Sequence, residues 1–238
     1  MAPLPIPIPQ PTSIRDFMAF EEHVRNARAR RGADVPPEWY LAPTFYFTNA
    51  APSVVHGDGA TIIGPAASRM LDVELEVALV IGTAGRDIAA DDAEAHIAGL
   101  TIYGDWSARD LQRTEMAVGL GPAKAKDFAQ SFGPHLVPLQ DLADVRTGRG
   151  RWSLAMDLFI NEERVGGGNL ADIHFDLGQL VEVASADVEL QVGDYLGSGT
   201  VGTGCLLEHP DRDWLQPGDR VELRVERLGS LHATIGAR

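Results

Sequence analysis

The sequence predicts an α+β protein in which strands predominate. Three observations carry that reading. From Phe45 onward, short apolar segments are broken every few residues by Gly, Asp and Pro, as at Gly64-Pro65, Gly133-Pro134 and Pro217 to Asp219, which is the pattern of strands joined by tight turns. Helical periodicity is confined to three short stretches. The 238 residues, 45% of them hydrophobic, can bury a core without covalent help, and the single cysteine, Cys205, permits no intrachain disulfide.

Taken in order, residues 1–12 hold Pro3, Pro5, Pro7, Pro9 and Pro11 between apolar residues, which excludes helix and predicts an extended arm. Ser13 with Asp16 three residues on resembles a capping box, and Phe17, Phe20 and Val24 follow at helical spacing. A helix is therefore predicted from Ser13 to about Arg31, with Gly32 as its stop. Pro36, Pro37 and Pro43 then enforce a loop. Two further helices are predicted, over Ala90 to Ile97 after an acidic first turn and over Leu177 to Ala184. Leu190-Gln191-Val192-Gly193-Asp194 recurs as Leu215-Gln216-Pro217-Gly218-Asp219, and both copies read as a tight turn feeding a strand. No linker divides residues 45–238, so the expected organisation is an arm and helix over 1–44 and one domain over 45–238.

Charge narrows the function classes. Lys plus Arg is 20 and Asp plus Glu is 34, a net charge of −14, which disfavours nucleic acid and anionic membrane surfaces as partners. No apolar run approaches the ~20 residues that span a bilayer, and MAPLPIPIPQPTS has neither a cationic start nor a long apolar stretch. A cytoplasmic protein is expected.

Chemistry concentrates in a few segments. In LDVELEVALVIG, Asp72, Glu74 and Glu76 alternate with apolar residues, so all three carboxylates share one strand face. Either that face is solvated or a hard cation relieves the repulsion. GDWSARD supplies Asp105 and Arg109, as a helix start or as a further ligand and a guanidinium fork for a substrate carboxylate. Lysine occurs only at Lys124 and Lys126, against 18 arginines, and one ammonium beside a developing negative charge would explain its use. His23 lies seven residues after Asp16, on the same side of the predicted helix, and the other histidines lack metal-ligand spacing. No Ser-His-Asp or nucleophile-elbow pattern occurs.

LDVELEV, followed about thirty residues later by DWSARDLQ, and VELQVGDYLGSGT further on, together resemble the fumarylacetoacetate hydrolase family from about Ser13 to Gly229. The resemblance implies a mixed β-sandwich roll, a homodimer, and a bound Mg²⁺, Ca²⁺ or Mn²⁺ with a small oxo acid or 1,3-dicarbonyl as substrate. Carried over residue by residue, it implies a metal set of Asp16, Glu74, Glu76 and Asp105. It implies His23 as the base, paired with Glu208. Lys126, Arg109 and Gln112 would support the departing carbanion, and Tyr46, Arg31 and Thr200 would contact substrate. Smaller members place a Glu three residues after the histidine, where this chain has Asn26, which leaves Glu208 as the partner. Met18 and Ala129-Gln130 depart from the family pattern. The expected activity is metal-dependent hydrolysis of a carbon–carbon bond in a β-diketone, acylpyruvate or fumarylacetoacetate-like substrate, through an enolate on the metal. The alternative is a 2-oxo acid decarboxylase or a hydratase/lyase on the same site.

Overall fold

Two sheets pack face to face, and one long strand organises both the core and the site. The computed structural model describes residues 9–238, so Pro3, Pro5 and Pro7 of the expected arm lie outside the described residues. The larger sheet comprises β1 (Ser13–Phe17), β2 (Phe45–Thr48), β3 (Val55–His56), β5 (Leu71–Ile81), β6 (Ile97–Ala108), β7 (Gln130–Val137) and β12 (Asp194–Gly197), in the order β2-β1-β12-β5-β6-β7-β3. The smaller sheet comprises β4 (Ala60–Ile62), β10 (Ala155–Ile160), β11 (Glu163–Asn169), β13 (Arg220–Val225) and β14 (Gly229–Ile235), in the order β11-β10-β13-β14-β4. A short hairpin, β8 (Arg146–Gly148) with β9 (Arg151–Trp152), stands apart, and three helices, α1 (Glu21–Ala29), α2 (Arg109–Val118) and α3 (Leu177–Ser185), complete the mainly β fold.

All eleven residues of β5 are buried. Its odd-numbered residues, Leu71 to Ile81, join Leu223 and Leu231 of the smaller sheet in one continuous apolar core. Its even-numbered residues face the other way: Ala78 and Val80 pack with Ile14, Tyr103, Phe132 and Tyr195, while Asp72, Glu74 and Glu76 continue the same row. Period-two alternation therefore places the carboxylates on one face, as the sequence predicts, but that face is buried rather than solvated.

The predicted helix over Ser13 to Arg31 is corrected. Ser13–Phe17 is a strand, parallel to β12 and antiparallel to β2, and α1 begins only at Glu21. Ser13 donates its hydroxyl to Asp194 Oδ1 at 2.8 Å instead of capping a helix, and pairing on both edges satisfies the backbone of a segment whose Ile14 and Phe17 are buried. The segment before residue 45 thus contributes a strand to the same sheet as β5 and β6. Asp16 and His23 lie on different elements, so their spacing of seven has no helical meaning. The helix predicted over Ala90 to Ile97 shrinks to one 3₁₀ turn, Ala93–His96, because Ile97 already begins β6. The third prediction stands as α3, which opens on a capping box of Asp176 with Gln179.

The repeated pentapeptide forms two equivalent turns. Gln191 N–H donates to Asp194 Oδ2 at 2.9 Å, and Gln216 N–H to Asp219 Oδ2 at 2.7 Å. Gly193 and Gly218 hold φ of 88° and 98°, a region open to glycine, and each turn feeds a strand, β12 or β13. The end of the arm is tied down: Tyr195 donates to Pro9 O at 2.7 Å and Gln10 Nε2 to Ala50 O at 3.0 Å. Among the described residues, no helix is long and apolar enough to cross a membrane.

Candidate active site

Sheet register brings the carboxylates together. On β5 and β6, Glu74 is opposite Asp105. Asp16 on β1 is opposite Tyr46 on β2 and beside Gly197 on β12, the strand that separates β1 from β5. Glycine at 197 leaves the gap through which the Asp16 and Glu76 side chains meet. A Cβ there would lie 2.7 Å from Asp16 Oδ1 and 3.0 Å from Glu76 Oε2.

Two kinds of carboxylate result. Asp72 accepts from Leu206 N–H at 2.8 Å, Leu207 N–H at 3.0 Å and Arg109 Nε at 2.8 Å. Glu74 accepts from Arg109 Nη1 at 2.8 Å and Lys126 Nζ at 2.5 Å. Burial alone would raise the Glu74 carboxyl, but Arg109 and Lys126 together hold it well below the ordinary range. Arg109 spends its guanidinium on these two residues and on Gln112 Oε1 at 3.0 Å, so the fork expected to receive a substrate carboxylate is already occupied.

Asp16, Glu76 and Asp105 are the other kind. One oxygen from each lies within 4.8 Å of the others, and all three residues are buried. The Tyr46 hydroxyl sits 2.6 Å from Asp16 Oδ2 and 2.9 Å from Asp105 Oδ2, with one proton to donate. Lys126 also donates to Asp105, and Gly199 N–H to Glu76 Oε2 at 2.8 Å. Burial, with Asp16 beside it, pushes the Glu76 carboxyl well above the ordinary range. Burial does the same to Asp105, against the pull of Lys126. Asp16 Oδ1 and Asp105 Oδ1 are buried without a hydrogen-bond partner. Convergent, unsatisfied carboxylate oxygens are the donor set of a hard divalent cation, and the cluster fits one. Glu74, the fourth ligand the resemblance implies, stands next to this cluster with its oxygens on Arg109 and Lys126.

The lysines separate as expected of a pair in which one matters. Lys124 is exposed and pairs with Asp127 at 2.9 Å, whereas Lys126 is buried. Glu115 on α2 accepts from Ala123 N–H at 2.8 Å and Ala125 N–H at 3.3 Å, and Gln130 Nε2 donates to Lys126 O, which together hold the lysine loop against the sheet.

His23, in the first turn of α1, places Nδ1 3.1 Å from Glu208 Oε2, across 185 residues of sequence. Glu208 Oε1 accepts from Asn26 Nδ2 at 2.8 Å, and Oε2 accepts from Cys205 Sγ at 3.4 Å. Although burial opposes it, the hydrogen bonds and charge of His23 hold the Glu208 carboxyl below its ordinary value. The ring's other nitrogen, Nε2, lies 3.9 Å from Glu74 Oε1.

A cavity of about 320 Å³ joins these groups. Asp16, His23, Arg31, Tyr46, Glu74, Glu76, Arg109, Gln112, Lys126 and Thr200 line it, while Asp105 and Glu208 sit behind the lining. Sequence reasoning missed its apolar wall, including Phe17, Val24, Phe45, Met116 and Leu207, and a second rim arginine, Arg28. It also missed Gly197, whose only signal is the absence of a side chain.

Residues 12–236 match the family described as fumarylacetoacetate (FAA) hydrolase C-terminal. An oxaloacetate tautomerase, YisK of Bacillus subtilis, is 30% identical over 97% of this chain and 72% of its own length. Fumarylacetoacetase of Oryza sativa is 29% identical over 87% of this chain and 62% of its own, and a human mitochondrial oxaloacetate tautomerase is 34% identical over 77% and 56%. The chain therefore spans only about three fifths of the rice and human relatives. Among solved structures, a fumarylacetoacetate hydrolase from Exiguobacterium antarcticum superposes with a TM-score of 0.76 at 25% identity, covering 96% of this chain and 76% of that one. A 5-carboxymethyl-2-hydroxymuconate delta-isomerase from Mycobacterium smegmatis superposes with a TM-score of 0.75 at 24% identity, over 96% and 78%, and shows the shared fold.

Proposed function

Because the chain belongs to the fumarylacetoacetate hydrolase family, whose members include hydrolases, isomerases and tautomerases, we propose that it is a divalent-cation-dependent hydrolase of the carbon–carbon bond in acylpyruvate-like 1,3-dicarbonyls. The observation that carries this reading is the His23–Glu208 pair on the cavity that Asp16, Glu76 and Lys126 also line. Asp16, Glu76 and Asp105 would hold the cation, with Glu74 as the adjoining fourth carboxylate. Bound there, Mg²⁺ or Mn²⁺ would polarise the oxygens of an oxo acid and offset their charge.

The remaining chemistry belongs to the chain. An ionised Glu208 accepts from Nδ1–H, which fixes the tautomer with the lone pair on Nε2. Nε2 takes a proton from water as the water oxygen bonds to the acyl carbonyl carbon. The carbon–carbon bond then breaks, and its electron pair leaves with the oxo-acid half as an enolate. The Lys126 ammonium, held charged by Asp105 and Glu74, opposes the developing negative charge. The imidazolium returns its proton to the departing carbon. Phe17, Val24, Phe45, Met116 and Leu207 shelter the acyl group, while Arg28 and Arg31 on the rim suit a carboxylate.

The tautomerase relatives favour a second reading in which the same base moves a proton between carbon and oxygen of oxaloacetate without cleavage. Incubating Mg²⁺-loaded protein with an acylpyruvate in ¹⁸O-water, beside enol-oxaloacetate, separates the two. Hydrolysis puts ¹⁸O into the released carboxylic acid, and His23→Ala lowers the rate by about 10²–10⁴-fold. Ketonisation of enol-oxaloacetate with no acid released would install the tautomerase reading instead.

A further inference from the structure

Behind His23, at the wall of the cavity, lies a second cluster of ligand-type atoms whose chemistry differs from the carboxylate set. Glu208 Oε2 is approached by His23 Nδ1 at 3.1 Å and by Cys205 Sγ at 3.4 Å, and one atom from each of the three residues lies within 4.8 Å of the others. Zinc bonds of about 2.0–2.1 Å to nitrogen or oxygen and 2.3 Å to sulfur give tetrahedral edges of roughly 3.3–3.6 Å. The two observed edges already sit close to those lengths. Cys205 is fully buried and His23 nearly so, and a thiolate with a carboxylate carries the two negative charges that balance a divalent ion. The backbone is fixed as well: Asp72 accepts from Leu206 and Leu207 N–H, and Asn26 holds the other oxygen of Glu208.

We propose that His23, Cys205 and Glu208 form a site for a zinc-like, sulfur-seeking cation, distinct from the all-oxygen site for Mg²⁺, and that its occupation switches the enzyme off. Nitrogen and sulfur donors select zinc-class ions, and carboxylate oxygens select magnesium. The proton balance explains the inhibition. The ion takes the Nδ1 lone pair, so the ring proton moves to Nε2, and the thiol proton passes to solvent. His23 then presents N–H where the reaction needs a lone pair. Binding stands on the cluster alone, whereas the inhibitory part rests on the function proposed above.

Cobalt(II) added to Mg²⁺-saturated protein is the probe. The expected result is a thiolate-to-cobalt charge-transfer band with release of one proton per ion, and no such band in Cys205→Ser or Cys205→Ala. Zinc should inhibit acylpyruvate turnover at saturating Mg²⁺, with a half-inhibiting concentration raised at least about tenfold in the Cys205 variants, each measured against its own zinc-free rate. A wild-type cobalt spectrum without a thiolate band overturns the proposal, and that reading needs no variant to fold. Zinc inhibition unchanged by loss of Cys205 also overturns it. The spectrum needs no substrate, so a protein that binds cobalt through sulfur but hydrolyses nothing would sink the proposed function and spare the site.

Discussion

Glu74 and Glu76 are two residues apart on one strand, on one face, both buried, yet their surroundings are opposite. Glu74 ends on Arg109 and Lys126. Glu76 ends among Asp16 and Asp105, with a single backbone N–H for company. Alternation explains why they share a face, but not why one is neutralised by the chain and the other is left for something outside it. The difference comes from the neighbouring strands. β6 brings the turn into α2, which carries Arg109, whereas β12 contributes glycine beside Glu76 and so admits Asp16 from the strand beyond. On the function proposed above, Glu76 is the carboxylate left free for the cation, while Glu74 adjoins it with its oxygens on Arg109 and Lys126.

The most damaging break in that contrast is Lys126→Met. It leaves Asp105 without its cation and Glu74 with Arg109 alone, and breaking such a buried pairing costs about 3–5 kcal/mol. In a chain of this length that corresponds to a fall in Tm of roughly 6–20 °C without divalent ions. Millimolar Mg²⁺ should recover part of the loss by supplying the missing positive charge. Unchanged melting in chelator would mean that the lysine does not carry the compensation assigned to it. Gly197→Ala comes next. Its Cβ would press on Asp16 Oδ1 and Glu76 Oε2, at an overpacking cost of about 1–3 kcal/mol. The Mg²⁺-dependent rise in Tm should disappear, and a full rise in this variant would remove Gly197 from the account of the site.

The two glutamates should also differ in sign with pH. The Glu74 carboxyl is held well below its unfolded value by Arg109 and Lys126 against burial, so its stabilising contribution is present above the ordinary carboxylate range, about pH 4, and is lost as pH falls through the depressed value. The Glu76 carboxyl is raised by burial and by Asp16, so its contribution is complete below that range and is lost as pH rises through the raised value. In chelator, Glu76→Gln should therefore gain stability over the parent as pH rises from about 4 toward neutrality. Glu74→Gln should lose stability against the parent as pH rises through the acid interval below about 4 and keep a constant deficit above it. Denaturant titrations at several pH values read both slopes, and slopes of the same sign would erase the distinction between the two carboxylates.

The sequence made the row Asp72, Glu74, Glu76 legible because a period of two is a local property of one strand. Asp105 and the turn at Asp194 were legible for the same reason: each is carried by its own short segment. The helix predicted from Ser13 failed because the apolar spacing of Phe17, Phe20 and Val24 fits both a helix and a strand followed by a helix. What decided between them was pairing with β12, 181 residues away. Nothing local recorded that Glu208 would lie against His23, and only resemblance proposed the pair. Nor could spacing show that the Arg109 fork would be spent on Asp72 and Glu74, since that depends on the register of β5 against β6.

The smallest expected effect concerns Asn26, whose side-chain amide holds the far oxygen of Glu208. Asn26 Nδ2 donates to Glu208 Oε1 at 2.8 Å, leaving Oε2 to face His23. Removing the amide with Asn26→Ala costs one hydrogen bond to a charged acceptor, about 1.5–3 kcal/mol at most, and stability should fall by no more than that. Catalysis offers the sharper readout. A carboxylate freed to rotate holds the Nδ1 proton less firmly, so the acid limb of the kcat/KM profile should move while KM changes little. Asn26→Asp would place a second anion against Glu208 and push the shared carboxyl pair upward. If Asn26→Ala changed only Tm and left the pH profile in place, Glu208 would orient the ring without help, and the dyad would be fixed from the β5 side alone, through Asp72 and the turn it holds.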